Sequence, residues 1–151
     1  MTTRLREPAR VLLSATPQLA KRAMSHDRRI LIADDDREVR SGVVDLLHDL
    51  DMDFVHAETG IEALQILRHS VIDLALLDMH MPGHTGLEVL SVIRRESPDL
   101  PCIFFSGDAT EAIRRQALHE GALAVLSKPL VPAMLRSEVR RALHIASREG
   151  F

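Results

Sequence analysis

Four short apolar runs in this chain are each followed by a residue able to do chemistry. RRILIA leads into Asp34, Asp35 and Asp36, DLALL into Asp78, CIFF into Ser106, and LAVLS into Lys128. If the runs lie side by side as strands, Asp34, Asp35 and Asp78 converge on one rim. Two like charges about 4 Å apart repel by roughly 4 kcal/mol at an effective dielectric near 20. Three carboxylates therefore cannot share a pocket uncompensated: either some are protonated or a cation sits among them. Hard oxygen ligands that leave positions open for water and a phosphoryl group suit Mg²⁺. Lys128 adds a positive point charge for an anion arriving at Asp78. A carboxylate in that setting is a nucleophile toward phosphorus, with an aspartyl phosphate as product. Such a site needs few parts, because positioning and charge neutralisation do most of the work in phosphoryl transfer. Ser106 can then donate a hydrogen bond to a phosphoryl oxygen, and the Pro and Gly residues after Asp78 make a tight loop able to respond.

The elements that must position these groups alternate along the chain. After the first run, Asp36 is placed to cap a helix carrying Val39, Val43, Leu46, Leu47 and Leu50. FVHA is the next run, with a turn at Thr59-Gly60 and a helix that uses Ile61, Leu64, Ile66 and Leu67. DLALL precedes a helix opened by Gly86, and Pro98 and Pro101 bracket its exit. CIFF precedes AIRRQALHEG, a helix closed by Gly121. LAVLS precedes a final helix whose face is marked by Leu135, Val139, Ala142, Leu143 and Ala146. Near-continuous apolar runs alternating with helices imply a parallel sheet covered on both sides. The expected fold is α/β, a (βα)5 flavodoxin-like doubly wound five-stranded parallel sheet of order 2-1-3-4-5. Its switch point lies between strands 1 and 3, where ligands bind at the carboxyl ends.

Composition narrows the class. The 151 residues suit one domain, and 46% apolar with 27% charged residues is globular. Aromatic content is 3% with no Trp or Tyr, which disfavours a stacking platform for single-stranded nucleic acid. A single cysteine, Cys102, excludes an intrachain disulfide and reads as a small buried hydrophobe. No apolar run approaches the roughly 18 residues of a spanning helix, so no membrane role and a cytoplasmic location are expected. Arg4, Arg6, Arg10, Lys21, Arg22 and Arg28 outweigh Glu7 and Asp27, leaving the rest of the chain acidic and a poor binder of phosphate backbones.

IADDD, LLDMHMPGHTG, FFSGDA and LSKP, in this order, resemble the receiver domain of bacterial two-component response regulators. The resemblance covers residues 28–148, with 1–27 as an N-terminal extension, flexible or a short helix, and 149–151 as a tail. It implies that Asp78 is the phosphoacceptor, served by a sensor histidine kinase or phosphotransfer protein. Asp34 and Asp35 would be the acidic pair that binds Mg²⁺ with Asp78 and the main-chain carbonyl of His80. Ser106 and Lys128 would be the switch hydroxyl and the phosphate-pairing lysine, and Lys128-Pro129 a cis peptide. Catalysis would be limited to the domain's own phosphotransfer and dephosphorylation. The downstream protein would dock on the surface of helix 4, strand 5 and helix 5.

Some features depart from that pattern. Val125 stands where the family commonly has an aromatic residue, so a switch based on a moving ring is in doubt. His80 overlooks the path of attacking water and is expected to alter the phosphate's lifetime. Few residues follow the last helix, which implies a stand-alone domain with no direct DNA binding, and MSHDRRILIADDD suggests Met24 as the true start. His80 and His84 have a metal-like spacing but are expected on a solvated loop, as Arg114 and Arg115 are on a solvated helix face. The rival reading is a Mg²⁺-dependent phosphohydrolase of the haloacid-dehalogenase type, using the D-x-D of Asp34 and Asp36. Arg37-Glu38 fits that motif poorly, and the chain has no room for a substrate cap.

Overall fold

The central apolar runs, RILIA, LALLD and CIFFS, are extended with both sides buried, whereas the edge run DFVHA is only partly covered. The computed structural model describes residues 28–144, and the strands are β1 (Arg29–Ala33), β2 (Asp53–Ala57), β3 (Leu74–Asp78), β4 (Cys102–Ser106) and β5 (Ala124–Ser127). All neighbouring pairs are parallel, in the order β2-β1-β3-β4-β5. This is the expected doubly wound flavodoxin-like sheet. Successive side chains in a strand point to opposite faces, so the sheet feeds two separate apolar layers. Leu31, Leu77, Phe104 and Val125 belong to one, packed with residues of α2 (Gly60–His69), α3 (Gly86–Glu96) and α4 (Glu111–His119). Ile32, Leu76, Phe105 and Leu126 belong to the other, against α1 (Arg37–Leu47) and α5 (Pro132–Leu143).

Helix starts are set by side-chain caps. Asp36 accepts from the Glu38 N–H, Thr59 from Glu62, and Thr110 from Ile113. At α3 the cap is reciprocal: Thr85 accepts from the Glu88 N–H while Glu88 accepts from the Thr85 N–H. Gly121, at φ +106°, takes the left-handed turn after α4 that a side chain would resist. The Lys128-Pro129 peptide is cis, as expected.

Three expectations need correction, two from the periodic pattern and one from charge. Ile61 is 51% exposed, because α2 turns Gly60 and Ala63 inward instead. Leu50 lies in a short 3₁₀ turn, His48–Leu50, beyond the end of α1. Arg114 is not simply solvated: its guanidinium reaches back to the Val125 carbonyl at 2.6 Å, while Arg115 is exposed. The N-terminal extension, Met24, Ala146 and the tail lie outside the described residues.

Candidate functional site

The register of the sheet brings the predicted groups together. Asp34 follows β1, while Asp78 and Ser106 are the last residues of β3 and β4, and Lys128 comes one residue after β5. Carboxylate oxygens of Asp34, Asp35 and Asp78 lie within 4.8 Å of one another. Asp34 is fully buried, Asp78 is 5% exposed, and Asp35 faces solvent. The Lys128 ammonium lies 2.9 Å from Asp34 Oδ2 and 3.3 Å from Asp78 Oδ1. It therefore sits closer to the first-strand carboxylate than to Asp78.

Local backbone geometry fixes this arrangement. Asp34 Oδ1 accepts the Asp36 N–H at 2.8 Å, which folds the turn after β1 so that Asp35 looks outward across the cluster. Asp36 itself is spent on capping α1 and is absent from the carboxylate group, so the D-x-D arrangement of a phosphohydrolase does not form. Behind Asp78, the Met79 carbonyl accepts the Gly86 N–H at 2.8 Å, closing the loop that carries His80 to Thr85. Gly86 is required there: a Cβ would stand 2.7 Å from Phe104 and 2.9 Å from the Asp78 carbonyl oxygen.

Burial raises the Asp78 carboxyl above its ordinary range, and the Asp34 charge adds to the effect; Lys128 and the His80 backbone only partly oppose it. Burial alone would lower Lys128, but hydrogen bonds and charges from Asp34 and Asp78 outweigh it and raise its pKa. The site thus combines a carboxyl that resists ionising with an ammonium held firmly charged. Its donors are all carboxylate oxygens, the hard set that fits Mg²⁺, and one ammonium leaves their charge under-compensated.

Ser106 is buried at the adjacent strand end, but its hydroxyl turns toward the Asp108 carboxylate at 3.4 Å rather than to Asp78. The exposed His80 ring crosses to the same carboxylate, with Nε2 3.0 Å from Asp108 Oδ1. His84 packs against Gly60 and has a buried Nδ1 without a partner. The two histidines join no cluster of three ligand side chains among the described residues.

Sequence reasoning missed two side chains here. Arg40 is buried and donates to the Asp34 carbonyl at 2.5 Å, bracing the acidic turn from α1. Its place on one helical face with Val43 and Leu47 was the available signal. Asp108 lies within the FFSGDA motif but was assigned no part.

The profile of the response regulator receiver domain matches residues 30–140. The chain belongs to the response regulator receiver domain family. It is 35% identical over 116 residues to the transcriptional activator protein ExaE of Pseudomonas putida, covering 76% of this chain and 54% of that protein. It is 39% identical over 109 residues to the response regulator receiver protein Anae109_2439 of Anaeromyxobacter, covering 72% of this chain and 46% of that one. The chain thus spans about half the length of these two curated relatives. Among solved structures, a receiver domain protein from Clostridium thermocellum aligns with TM-score 0.73 and 26% identity, covering 78% of this chain and 94% of that one. A CheY-like receiver domain protein from Methanospirillum hungatei JF-1 aligns with TM-score 0.74 and 28% identity, covering 79% and 95%. A receiver domain is a signalling module rather than a conventional enzyme, and this one carries the acidic triad typical of the family's Mg²⁺ site. No helix among the described residues is long and apolar enough to cross a membrane.

Proposed function

We propose that Asp78 is the phosphoacceptor of this receiver, that Asp34, Asp35, Asp78 and the His80 main-chain carbonyl hold Mg²⁺, and that Ser106 and Lys128 bind the phosphoryl group. The observation that carries the reading is the lysine ammonium 2.9 and 3.3 Å from two buried carboxylates. An Asp78 oxygen attacks the phosphorus of a phosphohistidine on a sensor kinase or phosphotransfer protein. The P–N bond breaks, and its electron pair leaves with the imidazole. Bound Mg²⁺ supplies charge neutralisation at the phosphoryl oxygens. Lys128 is already held charged beside the attacking carboxylate, so no group has to be recruited for that part of the balance. Later, water attacks phosphorus, the P–O bond to Asp78 breaks, and the carboxylate is restored.

The signal leaves by contact with a downstream protein, in the cytoplasm, with residues 28–148 as the working unit. Support for the α4–β5–α5 surface comes from its exposed apolar side chains, Leu118 on α4 and Val131 and Met134 at the start of α5. Val125 is 3% exposed and buried in the apolar layer, so the output rests on the loop after β4 rather than on a moving ring. Incubation with acetyl phosphate and Mg²⁺ tests the reading. One hydroxylamine-labile phosphoryl group per chain is expected, and none in Asp78→Asn; a labelled Asp78→Asn overturns it.

A further inference from the structure

The loop after β3 and the loop after β4 are joined above the site by a contact that the phosphotransfer chemistry does not use. Asp108 Oδ1 receives two groups: the His80 Nε2 at 3.0 Å and the Ser106 hydroxyl at 3.4 Å. The Asp108 N–H in turn donates to Ser106 Oγ at 3.3 Å. An ionised carboxylate can only accept, so His80 carries a proton on Nε2 and Ser106 points its single hydroxyl proton at Asp108. Oγ is thereby committed in both directions, as donor and as acceptor. Its donor bond is long for an O–H···O contact, which makes it an exchangeable one.

We propose that His80 and Asp108 form a resting-state latch on Ser106, acting as positioning residues. The proposal rests on Ser106 serving a phosphoryl group at Asp78. Ser106 has one proton, and it cannot be given to Asp108 and to a phosphoryl oxygen at once. A phosphoryl group on Asp78 must therefore draw the hydroxyl away from Asp108. His80 resists this, because it fixes Asp108 from the loop that Asp78 itself begins. The latch thus ties the availability of the switch hydroxyl to the acceptor loop, and it favours the unphosphorylated arrangement. Both latch side chains are exposed, His80 at 58% and Asp108 at 75%. Their contact is accordingly modest: an exposed pair of this kind shifts an equilibrium by about two- to fivefold.

The test uses the full chain at fixed Mg²⁺ with beryllofluoride as the phosphoryl probe, its bound fraction read by ¹⁹F NMR. His80→Ala and Asp108→Ala are expected to bind the probe about two- to fivefold more tightly than the unsubstituted chain. His80→Gln, which keeps a donor, and Asp108→Asn, which keeps an acceptor, are expected to restore the original affinity. In a Ser106→Ala background the His80→Ala and Asp108→Ala effects should vanish, since the coupling runs through that hydroxyl. Unchanged affinity in both alanine variants overturns the latch. So does an effect that persists without Ser106, or Asp108→Asn matching Asp108→Ala, which would mean simple charge repulsion. Beryllofluoride bound no better by the unsubstituted chain than by Asp78→Ala overturns the phosphoacceptor reading and the latch with it. Bound probe with insensitive variants overturns the latch alone.

Discussion

At the carboxyl ends of the strands two of three clustered carboxylates share one ammonium, whereas at the opposite end of the molecule carboxylates have partners of their own. Glu96 takes both arms of the Arg68 guanidinium, at 3.0 and 3.1 Å. Asp49 takes both arms of Arg136, at 2.6 and 2.8 Å, and Asp73 accepts the Arg29 N–H. The pKa values follow this division. Hydrogen bonds from Arg136 and Arg68 hold Asp49 at about 2 and Glu96 below its ordinary value, while burial and Asp34 push Asp78 up. One end satisfies its charges and the other stores an electrostatic conflict. Such conflict is expected where a protein gives up local stability for function.

The sharpest way to break the contrast is steric. Gly86→Ala forces a Cβ against the Asp78 carbonyl and Met79 Cα, backbone that cannot turn aside. A loss of about 3 kcal/mol is expected in urea unfolding, together with loss of acetyl phosphate labelling. Lys128→Met comes next, because it leaves fully buried Asp34 without its ammonium. Removing one partner of a buried pair costs roughly 3–5 kcal/mol. Lys128 keeps a quarter of its side chain in water, so a loss of about 2 kcal/mol is expected in the same assay.

The third prediction runs the other way. Between the ordinary carboxylate value of 3.8 and its raised native value, Asp78 is protonated in the folded chain but ionised in the unfolded one. The native state binds more protons there, so metal-free stability falls as pH rises through this window. Asp78→Asn should remove that fall and raise the neutral-pH Tm. Calorimetry at several pH values without divalent ions checks it. Smallest of all is Arg68→Ala, which breaks an exposed pair at the other end and should leave Tm without measurable change.

The parts of this molecule that could be read in advance are those where polarity changes abruptly. An apolar run ending in Asp78 or Ser106 announces both a strand and what stands at its tip, and alternation with helices then dictates a parallel sheet. Long polar side chains were harder, because residue type alone does not say where their ends go. Arg114 lies on a helix that looks solvated, yet its guanidinium finds the Val125 carbonyl. Arg40 lies on the inward face of α1 and reaches the Asp34 carbonyl. Ile61 erred in the opposite sense: a glycine and an alanine bring α2 close to the sheet and leave the larger residue outside. The contact between His80 and Asp108 joins residues 28 positions apart through an exposed gap, and no periodicity encodes that.

The missing side chain at position 86 reaches beyond stability. It allows the first turn of α3 to rest directly on the main chain of β3, with the reciprocal Thr85–Glu88 cap holding that turn shut. Asp78 therefore ends a strand whose main chain the helix already touches, with no space between them for even a methyl group. On the proposed reading, a phosphoryl group on Asp78 meets this close contact on the α3 side, so the same glycine that tightens the fold also bounds how the acceptor loop can respond.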